Sequence, residues 1–200
     1  MEKFDVLIIG GGVSGLSCAI TLGSAESKMD IVENKKILVL DSGESHLNKA
    51  ELYNVAGVKE GTKGKDLLVS MNQKANLYKI VETKKDTVTK VNNEDNEYLI
   101  ETQSGEKYKA EIVVFATGMQ TIEIEGIGSQ IIKHIRAPRP GMIMIENDNG
   151  IIEDGKYVTG CAAGASSMFS SAAGYGAQTA TDILSLWAGK YTVIHDVDTK

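Results

Sequence analysis

Near its start the chain reads Asp5-Val-Leu-Ile-Ile-Gly10-Gly-Gly-Val-Ser-Gly15-Leu-Ser-Cys-Ala19. A short apolar, β-branched run meets the string Gly10-x-Gly12-x-x-Gly15, and a helical pattern begins at once. Each glycine has a separate physical duty. Gly10 makes the tight turn out of the strand, Gly12 presents no Cβ and lets an anion approach the main chain, and Gly15 lets the helix pack close to the strand. The helix start adds free N–H groups and a positive dipole end. Strand, glycine turn and helix in this order predict a Rossmann-like opening unit, with Gly10, Gly12, Val13, Ser14 and Gly15 around the diphosphate of a dinucleotide. A glycine-rich turn without a ligand is the competing reading.

The remaining elements follow from hydrophobic periodicity. Ser14 to about Ala25 reads as the first helix, with Leu16, Ala19, Ile20 and Leu22 on or near its sheet-facing side. Ser24–Lys36 is polar and irregular. Ile37-Leu-Val-Leu40 is the continuous apolar run of a parallel strand covered on both faces. It ends at Asp41, 26 residues beyond Gly15. An acidic residue near this point, usually about 20 residues on, accepts hydrogen bonds from the adenosine ribose. A turn role in Asp41-Ser42-Gly43 is the alternative. Lys65–Lys74 looks helical. Ile80-Val81, Thr87–Val91, Tyr98–Thr102 and Lys107–Tyr108 alternate as strands of an antiparallel meander, with Asn92–Asn96 as a turn. Glu111–Ala116 is a further buried strand, closed by Thr117-Gly118. Gly126–Gly141 reads as irregular and holds Pro138 and Pro140, and Met142–Ile145 and Tyr157–Thr159 are short strands. Ala172–Trp187 is a helix with Ala173, Ala177, Ala180, Leu184 and Trp187 along one face.

Two hundred residues are enough for one domain with a substantial core. The expectation is a single domain over 1–190 and a loose tail over 191–200. No apolar run approaches the length of a bilayer, and Met1–Phe4 leaves no room for a signal peptide before the first strand. A cytoplasmic protein without a membrane partner is therefore expected. The net charge of -6, unbroken by a basic patch, argues against nucleic acid as a partner. Cys18 and Cys161 lie far apart and make no disulfide framework, and no ligand cluster has metal-site spacing.

Taken together, the motifs resemble the FAD-binding domain of thioredoxin reductase and its two-dinucleotide-domain relatives. The pieces are Gly10–Gly15, Val39–Gly43, Asn54–Leu68, Ala116-Thr117-Gly118, and Tyr157–Ala162 followed by Ala173–Gly176, in the family's order. The resemblance implies an α/β fold, a three-layer Rossmann-like FAD-binding domain with a parallel sheet and an inserted antiparallel meander. It implies FAD as cofactor. The implied cofactor-binding residues are Gly10, Gly12, Val13, Ser14, Gly15, Asp41, Ser42, Asn54, Val81, Ala116, Thr117, Gly118, Gly160, Cys161 and Ala172. Asn54 would lie beside the isoalloxazine ring. The start of the last helix would face the pyrimidine edge of the flavin. The small residues Ser171–Gly176 suit either that approach or tight packing.

Three departures qualify the match. Relatives insert an NADPH domain between the Ala-Thr-Gly turn and the last motif, whereas only Met119–Lys156 fill that interval here. A βαβ unit alone takes about 30 residues or more, and a nucleotide-binding half takes more than one unit. The family's Cys-x-x-Cys pair is missing, which excludes thioredoxin reduction by the family's route. Cys161 follows Gly160 where relatives carry the Asp that binds a ribityl hydroxyl, and a thiol is a poor substitute acceptor.

Catalytic residues are unknown from the sequence. Cys161 is a weak candidate as a reactive thiol, between a strand end and a helix start. A small inert pocket residue is the alternative. His46, His134 and His195 read as loop or surface residues; His46 follows Asp41 in the loop where some relatives of the resembled family carry an arginine near the adenosine, and a loop role without cofactor contact is the favoured reading. Arg136 and Arg139 read as solvated or as contacts for an acidic substrate or partner. Three functions are compatible with the chain. The first is an FAD flavoprotein oxidoreductase reduced by free NAD(P)H or by a protein electron donor. The second is a non-enzymatic dinucleotide-binding redox sensor or subunit of a larger complex. The third is an NAD-dependent Rossmann enzyme, against which Asn54–Leu68 and the last motif argue. A homodimer covering the apolar Met142–Ile145 segment is a further expectation.

Overall fold

The computed structural model describes residues 1–94, 97–137 and 139–195. In chain order its elements are β1 (Glu2–Ile9), α1 (Val13–Ser24), β2 (Ile37–Asp41), β3 (Glu51–Leu52), β4 (Thr62–Lys63), α2 (Gly64–Ala75), β5 (Val81–Lys85), β6 (Val88–Glu94), β7 (Glu97–Thr102), β8 (Lys107–Phe115), β9 (Ile131–Lys133), β10 (Ile143–Ile145), β11 (Ile151–Glu153), β12 (Lys156–Val158) and α3 (Phe169–Ala188). The central sheet runs β5-β2-β1-β8-β12-β11, parallel except for the last pair. The antiparallel β6–β7 pair hangs from the first half of β8.

Alternation on β1 divides the core. Val6 and Ile8 face one side, where they pack with Leu16, Leu22, Ile183 and Leu184 of α1 and α3 and with parts of α2. Leu7 and Ile9 face the other, under Val91, Tyr98 and Ile100 of the meander and Ile124, Ile127 and Ile145. Three layers result: helices, parallel sheet and meander. The expected fold is therefore the one observed. Burying each such aliphatic side chain contributes about 1.5–3 kcal/mol.

Several boundaries differ from the sequence reading. Lys107–Tyr108 and Glu111–Ala116 form one strand, because β8 pairs with β7 through its first half and with β1 along nearly its whole length. The irregular stretch 126–141 contains β9, which pairs antiparallel with β10 as a hairpin apart from the main sheet. The Asn92–Asn96 turn and Pro138 fall partly or wholly outside the described residues. On α3 the buried stripe is Ala172, Gly176, Thr179, Ala180, Ile183 and Leu184, one position off the expected stripe at its start. The shift brings α3 onto α1 as well as the sheet. A Cβ on Gly176 would lie 2.2 Å from the Ser14 carbonyl oxygen, and Ser17 Oγ donates to the Ala173 carbonyl at 2.8 Å. The apolar character of 142–145 is used inside the chain, where Met144 and Ile145 are buried. That removes the reason for expecting a dimer partner over it. Of the expected tail, Thr192 N–H donates to Ser185 Oγ at 2.9 Å and Ile194 packs on the helical side of the core; residues 196–200 lie outside the described residues.

Candidate functional site

In an open parallel sheet the ligand crevice forms where the strand order reverses, outside the carboxyl ends. Here the reversal lies between β1 and β8. A crevice of about 870 Å³ opens there, walled by Ile9 and Gly10 after β1, Leu40 and Asp41 of β2, and Ala116–Gly118 after β8. Within it the fold brings together Gly10, Gly12, Val13, Ser14, Asp41, Ser42, Asn54, Ala116, Thr117, Gly118, Cys161 and Ala172. These come from six separate stretches of chain.

The glycine turn carries out the geometry that its spacing predicts. Gly10 has φ +111°, and its N–H donates to the Leu40 carbonyl at 2.8 Å. Gly15 lies behind the crevice wall, where an added Cβ would sit 1.9 Å from the Gly10 carbonyl oxygen. Gly12 is the opposite case: a Cβ there would approach only Ser45 Oγ, at 3.6 Å. Leu16 N–H closes the first turn of α1 on the Gly12 carbonyl at 3.0 Å, so the amides before it are the helix's free donors. Asp41 Oδ1 accepts from Gly11 N–H at 3.1 Å, which ties the end of β2 to the turn.

Besides Gly15, two predicted residues are placed outside the crevice lining. Gly160 packs behind the wall, where its missing Cβ would meet Ser14 Oγ at 2.4 Å. Val81 is a correction. It is buried, pairs with Ile37 at the amino end of β2, and joins the helical-side core, so it faces away from the crevice. The strand was placed correctly but its wrong end was chosen. The residues after the carboxyl end of β5, Asp86, Thr87 and Val88, line the crevice instead. The signal for them was the Asp-Thr turn between two strand patterns. Partial burial works to raise the Asp86 carboxyl, but hydrogen bonds from the Ser104 hydroxyl, Thr102 and the Thr87 amide outweigh it and hold the group below its ordinary range. Glu44, Met119, Gln120, Met168 and Phe169 are further lining residues that the motifs did not indicate, and His46, expected as a loop residue away from the cofactor, lines the crevice as well.

Cys161 sits in a tight turn over Gly160–Ala163. Its Sγ–H donates to the Ser166 carbonyl at 3.7 Å, and burial pushes the thiol above its ordinary value. The environment therefore disfavours a thiolate, contrary to the sequence expectation of a stabilised one. His134 is buried rather than on the surface, and Arg136 donates through Nη1 to the Gly164 carbonyl at 2.7 Å. Cys18 is buried in the core. Among the described residues, no group of three His, Cys, Asp or Glu side chains could hold a metal ion, and no helix is long and apolar enough to cross a membrane.

The family model for pyridine nucleotide-disulphide oxidoreductases matches residues 4–141. The chain belongs to this family. Among sequence relatives, ferredoxin–NADP reductase 1 of Bacillus mycoides is 30% identical over 134 residues, covering 62% of this chain and 37% of that protein. The ferredoxin–NADP reductase 1 of Bacillus anthracis is 26% identical over 163 residues, covering 77% and 45%. The chain thus spans less than half the length of these curated relatives. A solved thioredoxin reductase from Gloeobacter violaceus superposes with a TM-score of 0.78 at 13% identity, over 99% of this chain and 100% of that one, a likeness of fold alone. An oxidoreductase from Agrobacterium tumefaciens is 27% identical with a TM-score of 0.51, over 64% and 41%. In the sequence a short interval separates Gly118 from Lys156. The described residues there form β9–β10, β11 and turns, with no second nucleotide-binding unit. Its two cysteines, Cys18 and Cys161, form no Cys-x-x-Cys pair.

Proposed function

We propose that the crevice binds FAD in extended form and that the chain is an FAD-dependent oxidoreductase. The diphosphate would rest on the Gly10–Gly15 turn and the start of α1. The adenosine would lie toward Asp41, Ser42 and Asp86–Val88, and the isoalloxazine toward Asn54, Met119, Cys161 and Ala172. The observation that carries this reading is the open approach to Gly12 beside an α1 end with free amides. Two others support it. Thr117 is among the crevice residues, and its Oγ1 is buried without a partner among the described residues, as a donor or acceptor reserved for a ligand would be. The crevice volume falls in the range of roughly 300–1,000 Å³ typical of cofactor sites.

Bound FAD would supply the electron-transfer chemistry, and the chain's residues would bind and orient it. Residues 1–190 would act as one FAD-binding domain. With no second nucleotide-binding unit among the described residues, electrons would come from free NAD(P)H or from a partner protein. The names of the sequence relatives make ferredoxin a candidate for that partner. Thioredoxin would not be reduced through a cysteine pair, since Cys18 is buried and Cys161 stands apart.

The test is spectroscopic. The purified chain is expected to be yellow, or to become so on adding FAD, and to bleach anaerobically with NADPH, NADH or reduced ferredoxin. A colourless protein that cannot be reconstituted with FAD would overturn the reading. Yellow protein that none of these donors bleaches would favour the second reading, a redox sensor or subunit. The observation favouring that alternative is Cys161, a weak hydrogen-bonding thiol where the resemblance expects a carboxylate.

A further inference from the structure

The crevice has an unusual charge census. Asp41, Glu44, Glu51, Asp86 and Glu123 line it, and none of its described lining residues is lysine or arginine. A diphosphate brings further negative charge into this setting. Main-chain amides and the α1 dipole can meet part of it. Of the described lining side chains, His46 alone can carry a positive charge.

His46 is also placed for the task. It opens the short turn His46–Lys49, whose preceding Ser45 presents Oγ beside the open position at Gly12. From that turn the ring reaches the opposite wall, where the Gln120 side-chain amide nitrogen, just beyond the Ala116–Gly118 turn, donates to His46 Nε2. The two side chains thus join the β2 side of the crevice to the β8 side. We propose that His46 and Gln120 form a clasp over the diphosphate: when the dinucleotide is bound, His46 is protonated and the Gln120 amide is turned so that its Oε1, in place of its nitrogen, accepts from Nε2–H. This rests on the reading of the crevice as a dinucleotide site.

The other charges around His46 do not replace it. Glu44 on its own loop, Asp41 at the end of β2, Glu51 on β3 and Glu123 beyond β8 are anionic. Lys49 is exposed on the same turn, and Lys85 Cε approaches Gly43. Helix α2 packs on this turn through Gly64 against Leu47, and its first-turn Lys65 and Asp66 are exposed. Histidine changes charge between roughly pH 5 and pH 8. A ligand that favours the protonated ring binds more tightly below that range, and its binding takes up a proton.

The experiment measures binding of FAD, ADP-ribose and riboflavin to the full chain by calorimetry at about pH 6 and about pH 8. FAD and ADP-ribose carry the same diphosphate linkage, and riboflavin carries none. Both diphosphate ligands are expected to bind about 3–10-fold more tightly at the lower pH. Riboflavin binding, where measurable, stays flat. In His46→Gln, which keeps an amide able to pair with Gln120, the pH ratio should collapse to about 1. Gln120→Ala should bind more weakly yet keep the ratio. Tight but pH-independent binding to the unaltered chain, or a ratio that survives His46→Gln, overturns the clasp and leaves the FAD reading standing. Failure of both FAD and ADP-ribose to bind at either pH removes the dinucleotide reading and the clasp with it.

Discussion

His134 Nε2 donates to the Cys161 carbonyl at 2.9 Å, while its Nδ1 accepts the Arg136 N–H at the same distance. Acceptance at Nδ1 fixes the proton on Nε2, so the ring is the neutral tautomer that serves both neighbours. With Arg136 Nη1 on the Gly164 carbonyl, it fastens the β9–β10 region to the turn that carries Cys161. The hairpin is thus part of the crevice support. His134→Leu leaves the Arg136 amide without an acceptor, while the Cys161 carbonyl keeps the Gly164 N–H. The expected cost is about 1–3 kcal/mol of unfolding free energy, read from urea denaturation. Weaker FAD binding should accompany it. An unchanged urea midpoint would show that the clamp contributes nothing.

The glycine turn separates folding from binding. Gly15→Ala places a Cβ 1.9 Å from a main-chain oxygen, which only a shift of the β1–α1 turn can relieve. A loss of about 2 kcal/mol or more is expected. Gly12 has φ −78°, ψ −167°, which alanine adopts without strain, and an open side. Gly12→Ala should leave the thermal midpoint nearly unchanged and lower FAD affinity by at least about tenfold, since the methyl group stands where the phosphate would approach. Thermal melts with and without FAD distinguish the two variants. Equal destabilisation by both would contradict the geometry.

The difference between these two glycines also shows what was legible in the sequence. The turn geometry of Gly10–Gly15 is legible because it is a backbone role fixed by local spacing, and Asp41 because an acidic side chain closes the apolar run of β2. The same holds for β1, β2 and the helices, whose periodicity records a buried face. His134 was not readable. Its burial comes from the fold of 131–145 over 160–164, and a lone histidine in a loop pattern carries no mark of that. The place of Val81 is not legible because the apolar residue of β5 stands at its amino end, ahead of the polar Glu82–Lys85, and only the parallel register with Ile37 reveals which end meets the crevice. His46 and Gln120, 74 residues apart, meet only through the strand order.

Tyr98 gives a pH signature. Its ring is buried and its hydroxyl donates to the Asp154 carbonyl at 2.7 Å. Burial first, and then the Glu153 and Asp154 charges, push its pKa up to about 12, against about 10 for a free tyrosine. The folded value lies above the unfolded one. Its contribution to stability is therefore full below about pH 10 and is lost as pH rises toward 12. Tyr98→Phe should cost about 1 kcal/mol near neutrality, through the carbonyl left without its donor. It should also lose part of the alkaline decline seen in thermal melts of the unaltered chain. Tyr108 and Tyr157 shift in the same direction by burial, so part of the decline remains. A variant whose alkaline profile matches the parent's would refute the assignment.

Cys161 tests whether the crevice holds a reactive thiol. Burial favours its neutral form, and Sγ–H is directed to the Ser166 carbonyl. Since the thiolate is the attacking species, labelling by an aromatic disulfide at neutral pH should be slower than that of free cysteine. The rate should rise through the alkaline range as the thiol ionises. Cys18 is buried and also pushed upward, first by burial and then by the Asp182 charge, so it should label only on unfolding. Counting modified sites by mass spectrometry separates the two. Cys161→Ser should alter FAD affinity by no more than about twofold, because serine keeps the size of the side chain and a hydrogen-bond donor. Labelling at neutral pH as fast as free cysteine, together with loss of flavin bleaching in Cys161→Ser, would instead make this sulfur part of the electron path.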